Sequence, residues 1–244
     1  MNPYQTNPSS LLNNAGLNCH AVFDIAALTP EVSELLIARC PQAASYRQLI
    51  LIGHGGTAFW HALQASGMDL TRNEVDHPVD DFTVSVIQDY LQSECAGADY
   101  EIVYPGSYTV SLQELGKLAL WHHPSPFMVG INSTFGSWFA YRAVVLANTD
   151  LPATTPVHTE SPCASCVAKP CINSCPAHAL DDGQFNLQKC LSYRQQTDSA
   201  CKTTCVARTS CPVASEHRYS EAQINYHYGR SMKVIEAFKM AKIA

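Results

Sequence analysis

Eight of the chain's eleven cysteines lie between Cys163 and Cys211. Thiols at this density pair, or bind metal, and either outcome dictates where the backbone must run. They fall as Cys163-x2-Cys166-x4-Cys171-x3-Cys175-Pro176, then Cys190, then Cys201-x3-Cys205-x5-Cys211-Pro212. Disulfides fit poorly. Met1 to Ser10 has neither the basic start nor the apolar core of a secretory signal. The expected location is therefore cytoplasmic, where thiols stay reduced. Metal binding is the reading that remains.

Two metal chemistries use such cysteines. Paired cysteines make structural zinc sites of four thiolates. The other chemistry is that of the bacterial ferredoxins, whose repeated unit is C-x2-C-x2-C-x3-C-P, with the fourth cysteine ligating the other cluster. Zinc does not need a proline after the last cysteine, and here both runs end in Cys-Pro. Two 4Fe–4S clusters are the expectation, with zinc as the alternative. The crossed pattern gives Cys163, Cys166, Cys171 and Cys211 to one cluster, and Cys175, Cys190, Cys201 and Cys205 to the other. The x4 before Cys171 and the x5 before Cys211 depart from the strict spacing.

The 244 residues suffice for one large domain or two, and the net charge of −6 hides a division. Residues 1–160 carry 5 basic and 15 acidic side chains, whereas residues 161–244 carry 10 and 6. The cysteine-rich end is the basic end. Positive charge there helps hold anionic clusters and sets their potential, although a solvated basic face explains it equally well. Neither part has the basic stripe of a nucleic-acid binder, so no nucleic-acid partner is expected. No apolar run approaches the roughly 18 residues of a membrane span, so no membrane partner is expected. Cys19, Cys40 and Cys95 read as small buried hydrophobes.

Residues 1–20 are polar and Asn-rich and read as a loosely held arm. Thr29-Pro30-Glu31 starts a helix, with Thr as cap and Pro in the first turn. Leu49 to Ile52 is a buried strand that ends at Gly53-His54-Gly55-Gly56, and a helix over Thr57 to Ser66 follows it. The glycine turn suits tight packing better than phosphate binding. Pro78 opens another helix, with Phe82, Val86 and Tyr90 on one face. Ser111-x-x-Glu114 is a capping box for a helix to about Trp121, and Ser220-x-x-Gln223 is another for a helical tail. Trp138 to Ala147 is a buried strand. Pro152, Pro156 and Pro162 mark a linker. Helices and strands mix without regular βαβ units, which predicts an α+β fold.

Two stretches flanking the cysteines resemble known families. Ile131-Asn132-Ser133-Thr134-Phe135-Gly136-Ser137-Trp138-Phe139-Ala140-Tyr141-Arg142 resembles the central strand segment of CblC-type cobalamin-processing proteins. His217-Arg218-Tyr219-Ser220-Glu221-Ala222-Gln223 resembles their E-R-Y-S-E-x-Q segment, and Pro78-Val79-Asp80 matches a helix opening there. The cysteine block, with Ser137-Trp138 before it and Cys190-Leu191-Ser192-Tyr193 within it, resembles epoxyqueuosine reductases and reductive dehalogenases. The resemblance implies a flavin-reductase (nitroreductase)-like α/β sandwich with a bacterial-ferredoxin-like two-cluster region. It implies a cobalamin-binding domain over 1–155, the cluster region over 156–215, and a tail over 216–244 returning onto the first domain.

Both resemblances imply a corrinoid, with Phe135, Gly136, Trp138, Tyr141 and Arg142 as its contacts and FMN as the alternative cofactor. Epoxyqueuosine reductases carry an acid in a Y-V-D-T-x-P segment; the nearest equivalent here, Tyr104-Pro105-Gly106-Ser107-Tyr108, has none. Tyr104 and Tyr108 are the remaining proton donors. CblC-type proteins have His-Pro-Arg where Asn132-Ser133-Thr134 stands. His122 and His123 follow a helix, where the dipole favours histidine and where a cobalt ligand is the other role considered. The leading expectation is an oxidoreductase that passes electrons from an unidentified low-potential donor to cobalamin, reducing cobalt and removing its upper ligand. The alternatives are a cobalamin-dependent reductase of an organic substrate, of the dehalogenase or epoxide-reductase type, and a non-enzymatic electron-transfer module.

Overall fold

The computed structural model describes Tyr4 and residues 9–71, 77–181 and 183–241, the side chains of the last helix as far as residue 237. The chain divides into two compact units: Met1–His122 with Phe139–His158, and His123–Trp138 with Thr159–Ala244.

The first unit is built on a four-stranded sheet of β1 (Cys19–Asp24), β2 (Gln48–Gly55), β3 (Tyr100–Tyr104) and β4 (Phe139–Ala147). Its order is β1-β2-β4-β3 and every pair is antiparallel. The strongest apolar runs occupy the centre, because only inner strands are covered on both edges and both faces. All eight residues of β2 are buried, with Leu49, Leu51 and Ile52 fully so.

Among the described residues, the α-helices of this unit are α1 (Ser10–Asn14), α2 (Pro30–Arg39), α3 (Ala58–Ala65), α4 (Pro78–Glu94) and α5 (Leu112–Leu118). The proline starts behave as expected, with Pro30 and Pro78 in the first turns of α2 and α4. Helix α3 packs on β2, and α4 packs on β4 and α1. Gly53 has a packing role: a Cβ there would lie 2.8 Å from the Ala140 carbonyl oxygen of the neighbouring strand. Residues 9–20 differ from a loose arm. Ser9 caps α1, its hydroxyl bonds Glu94 at 2.7 Å, and Leu12 and Leu17 are buried. Two leucines in a polar context are enough to anchor the segment.

Strand β4 is irregular where the motif residues lie. Ile52 pairs with Ala143 and Gly53 with Tyr141, so Arg142 is the extra residue of a β-bulge. Phe139 and Tyr141 share a face, their rings 5.8 Å apart and edge to face. Arg142 reaches the α3 side, where its guanidinium lies over Phe59.

Among the described residues, the α-helices of the second unit are α6 (Pro170–Asn173), α7 (Leu187–Arg194), α8 (Val206–Thr209) and α9 (Glu221–Ala241). The tail, assigned from sequence to a return onto the first region, clusters with the cysteine region. Arg194 of α7 holds it there by donating to the Tyr228 carbonyl and the Ser231 hydroxyl, each at 3.1 Å. Of the two capping boxes, one forms in part and the other does not. Ser220 Oγ accepts from the Gln223 amide N–H at 3.2 Å, but the buried Gln223 side chain does not return. Ser111 makes no side-chain cap bond, and Glu114 pairs with Lys117 at 2.7 Å instead.

Leu51→Ala should lower stability by about 2–5 kcal/mol, since it removes a fully buried side chain from the central strand. Leu35→Ala, at a 59% exposed position, should stay within about 0.5 kcal/mol. Urea unfolding followed by circular dichroism measures both.

Candidate metal centre

The eight cysteines are set on short elements separated by tight turns. Lys169 adopts the left-handed conformation (φ 41°) and turns the chain into the one-turn helix α6, which carries Cys171. The Cys175 N–H closes that turn on the Ile172 carbonyl at 3.2 Å, and Pro176 then directs the chain away. Asn186 caps α7 by accepting from the Lys189 N–H at 2.9 Å, and α7 carries Cys190. Cys205 is the N-cap of α8, and Cys211 follows two residues after its end. Helices α6 and α8 pack together around Phe127, Ile131, Leu180 and Ala207, with Cys171 and Cys211 buried among them. Cys163, Cys175 and Cys205 border the same core.

The thiols influence one another in two groups of four. Burial raises the Cys163 thiol's pKa, and Cys211, Cys171 and Cys166 raise it further. Burial likewise raises Cys171, with Cys211 and Cys166 adding to it. In the second group, burial and then Cys205 push Cys190 up to about 11; Cys201 and Cys175 contribute while Arg194 opposes. Cys201 rises by burial, helped by Cys205 and Cys175. These neighbourhoods coincide with the two crossed quartets. The raised pKa keeps Cys163, Cys171, Cys190 and Cys201 protonated at neutral pH, and a metal bound there would have to displace those protons.

Among the described residues, no group of three or more His, Cys, Asp or Glu side chains is placed to hold a metal ion.

A basic layer backs the second quartet. Buried Arg194 donates from Nε to the Cys201 carbonyl at 3.0 Å, and its guanidinium opposes the rise of both Cys190 and Cys201. Buried Arg208 lies 4.6 Å from the Trp138 ring centroid and 5.1 Å from that of Tyr219, and donates to the Ser137 carbonyl. Sequence reasoning passed over both arginines. The available signal was their position: each lies within four residues of a cluster cysteine, on a helix too short to bury a charge for stability alone.

The residues expected at a corrin fall in different units. Phe135, Gly136 and Trp138 belong to the second. Phe135 packs edge to face on His217 at 4.9 Å, and Trp138 is fully buried beneath Arg208, Arg218 and Tyr219. Gly136 has φ 58°, and a Cβ there would lie 2.3 Å from the Val213 carbonyl oxygen. Asn132 Oδ1 accepts from the Thr134 and Phe135 N–H groups, which folds this loop. Tyr141 and Arg142 belong to the first unit. Tyr141 meets His122 Nδ1 at 3.1 Å, and Arg142 Nε donates to His54 Nδ1 at 3.0 Å. Phe135, Trp138, Tyr141 and Arg142 thus pack against protein groups. His123 meets Thr159 at 3.2 Å. Burial raises the Tyr104 pKa, with Arg142 opposing and Asp80 reinforcing; Tyr108 accepts from the Gln42 amide.

No protein-family model matches the chain. An epoxyqueuosine reductase of Lactococcus garvieae (strain Lg2) is 37% identical over 68 residues, 28% of this chain and 18% of that protein. Solved epoxyqueuosine reductases share the fold. One from Bacillus subtilis, with its catalytic aspartate loop swung out of the active site, gives a TM-score of 0.52 at 16% identity. It aligns over 86% of this chain and 66% of its own. Another, in complex with an epoxyqueuosine-modified tRNA stem loop, gives 0.50 at 14% identity over 88% of this chain and 67% of its own. The chain therefore spans 66% of the first solved relative and 18% of the curated one. These comparisons support the resemblance to epoxyqueuosine reductases; the CblC-type one rests on its short motifs alone, and a flavin gains no support. The exclusion of nucleic acid does not stand, because a protein of this fold is seen with a tRNA stem loop. The lack of a basic stripe in either part was a poor guide, since residues 161–244 still carry 10 basic against 6 acidic side chains.

The crossed pairing makes a specific prediction for cysteine double variants. Cys163→Ala with Cys211→Ala should remove one cluster and about half the iron, whereas Cys163→Ala with Cys175→Ala should damage both. Cys40→Ala should leave the iron unchanged. Iron and acid-labile sulfide analysis distinguishes these outcomes.

Proposed function

We propose that the chain is a two-cluster iron–sulfur oxidoreductase of the epoxide-reductase type, dependent on cobalamin and acting on a substrate carried by RNA. The observation that carries this reading is the pair of thiol quartets: Cys163, Cys166, Cys171 and Cys211, then Cys175, Cys190, Cys201 and Cys205. When bound, the clusters supply single low-potential electrons, and two of them supply the pair that an epoxide reduction consumes. The cysteines hold the clusters. The Phe127–Ile131–Leu180 core keeps water from the first quartet, and Arg194 offsets charge at the second.

Cobalamin enters through the likeness in fold to epoxyqueuosine reductases, and no residue of this chain is assigned to it. Removal of an upper ligand from cobalamin, the first expectation from sequence, gives way to reduction of an organic substrate. An RNA partner accords with the tRNA stem loop bound by a protein of this fold and with the positive charge of residues 161–244. The proton donor for ring opening is Tyr104, which lies near Arg142 and Asp80.

The test uses the full chain, purified without oxygen and loaded with iron, sulfide and cobalamin. Reduced protein should convert an epoxide-bearing nucleoside in an RNA stem loop to its deoxygenated product. It should also bind that RNA with an affinity falling linearly in log salt. Conversion of the upper ligand of cobalamin with no turnover of the RNA-borne epoxide would overturn the proposal. Tyr104→Phe should slow product formation and leave RNA affinity unchanged.

A further inference from the structure

The loop that carries most of the first quartet lies at the surface. Every residue between Cys163 and Cys171 is exposed except Cys166 and Pro170. Val167, next to Cys166, is 95% exposed, more than any other large apolar side chain among the described residues. A second apolar side chain, Met128, is 60% exposed. Its chain neighbours Phe127 and Val129 pack into the core that holds Cys163, Cys171 and Cys211, so Met128 borders the first quartet as well. At the second quartet, Arg194 instead ties helix α9 to the Cys201 carbonyl.

Strained backbone presents this surface. Met128 has φ 65° and Lys169 φ 41°, in the left-handed region that residues with a side chain rarely adopt. The Met128 N–H closes its turn on the Ser125 carbonyl at 3.2 Å, and the Ser125 hydroxyl donates to the Val129 carbonyl at 2.5 Å. The hydrophobic effect favours burying a thioether, so a strained turn that holds one in water points to a use for it. The local charge has one sign. Residues 123–138, 161–180 and 199–215 supply the first quartet and most of its core, and they contain no Asp or Glu. They carry Lys169, Lys202 and Arg208, of which Lys169 is exposed.

We propose that Val167, Met128 and Lys169 form the docking surface for an acidic one-electron carrier protein, so that electrons enter at the cluster held by Cys163, Cys166, Cys171 and Cys211. This inference rests on the two-cluster reading. A positive, acid-free surface attracts an acidic partner, and a small apolar centre suits the small, transient interfaces of electron-transfer encounters. Methionine adapts its shape to a partner that must also leave. RNA fits the face less well. The large exposed apolar side chains among the described residues include no aromatic ring, whereas single-stranded RNA stacks its bases on aromatic faces. Each encounter moves one electron: the carrier is oxidised by one and the cluster reduced by one. No covalent bond forms or breaks, and no proton is transferred.

The experiment is anaerobic stopped-flow reduction of the iron-loaded full chain by a flavodoxin hydroquinone, an acidic carrier that becomes the semiquinone as it gives up one electron. Dithionite serves as a small donor that needs no docking. Val167→Asp and Met128→Asp should each slow reduction by flavodoxin about tenfold and leave the dithionite rate unchanged. The wild-type flavodoxin rate should fall as salt rises, and Lys169→Glu should flatten that fall. Leu187→Asp, at a 58% exposed position on α7, should leave both rates unchanged. Unchanged flavodoxin rates in Val167→Asp and Met128→Asp proteins with intact clusters overturn the proposal and leave the two-cluster reading standing. Slowing confined to Leu187→Asp overturns it too, by moving the entry to the second quartet. So does weakened binding of a stem-loop RNA at an unchanged flavodoxin rate, which gives the face to RNA. A wild-type flavodoxin rate indifferent to salt overturns it without any variant. Wild-type protein that holds no iron–sulfur cluster overturns the underlying reading, and this inference with it.

Discussion

The burial of clustered cysteines is the constraint that distinguishes the second unit. Its helices α6 and α8 are four residues each, too short to be stable alone. Its core includes Cys171 and Cys211 as buried members beside Phe127, Ile131 and Leu180. Burial raises the pKa of Cys163, Cys171, Cys190 and Cys201, and neighbouring cysteines raise each further. A metal bound there would have to displace their protons, which couples its binding to pH. The first unit has no such dependence. Its sheet buries Leu49, Leu51, Ile52 and Val144 to Leu146, and the hydrophobic effect accounts for it.

The basic residues of the second unit do more than adjust its net charge. Arg194 joins three segments: it takes the Cys201 carbonyl, the Tyr228 carbonyl and the Ser231 hydroxyl. Arg208 is bound by two aromatic faces and a carbonyl. Both are largely desolvated, which is costly for a charge unless negative charge lies close by. An anionic cluster at the neighbouring cysteines, as proposed, would meet that requirement. The tail helix is thereby tied to the metal region, and the string Ser137-Trp138 acquires a physical reason: it forms the seat of Arg208.

What could be read in advance depended on whether the signal was local. Pro30 and Pro78 mark helix starts because proline fixes φ and lacks the N–H that the first turn leaves unpaired. The apolar run of β2 and the spacing of the cysteines were equally legible. Strand β1 was hidden, because its first residues follow an Asn-rich stretch whose anchors, Leu12 and Leu17, are few. Strand β3 carries only one buried residue, Val103, and gives little pattern. The bulge at Arg142 breaks the alternation on which strand reading relies. The engagement of Phe135, Trp138, Tyr141 and Arg142 by protein groups was likewise out of reach, because it arises from residues distant in sequence: His217, Tyr219, His122 and His54. The motif was visible, but which partners would occupy its side chains was not.

The central claim is that the eight cysteines hold two 4Fe–4S clusters. The most direct measurement is the iron and acid-labile sulfide content of the anaerobically purified chain, together with the EPR spectrum after dithionite reduction. The expected result is about eight iron and eight sulfide per chain, with the signal of two magnetically interacting reduced cubanes. Zinc in place of iron, or about four iron with a single isolated signal, contradicts it.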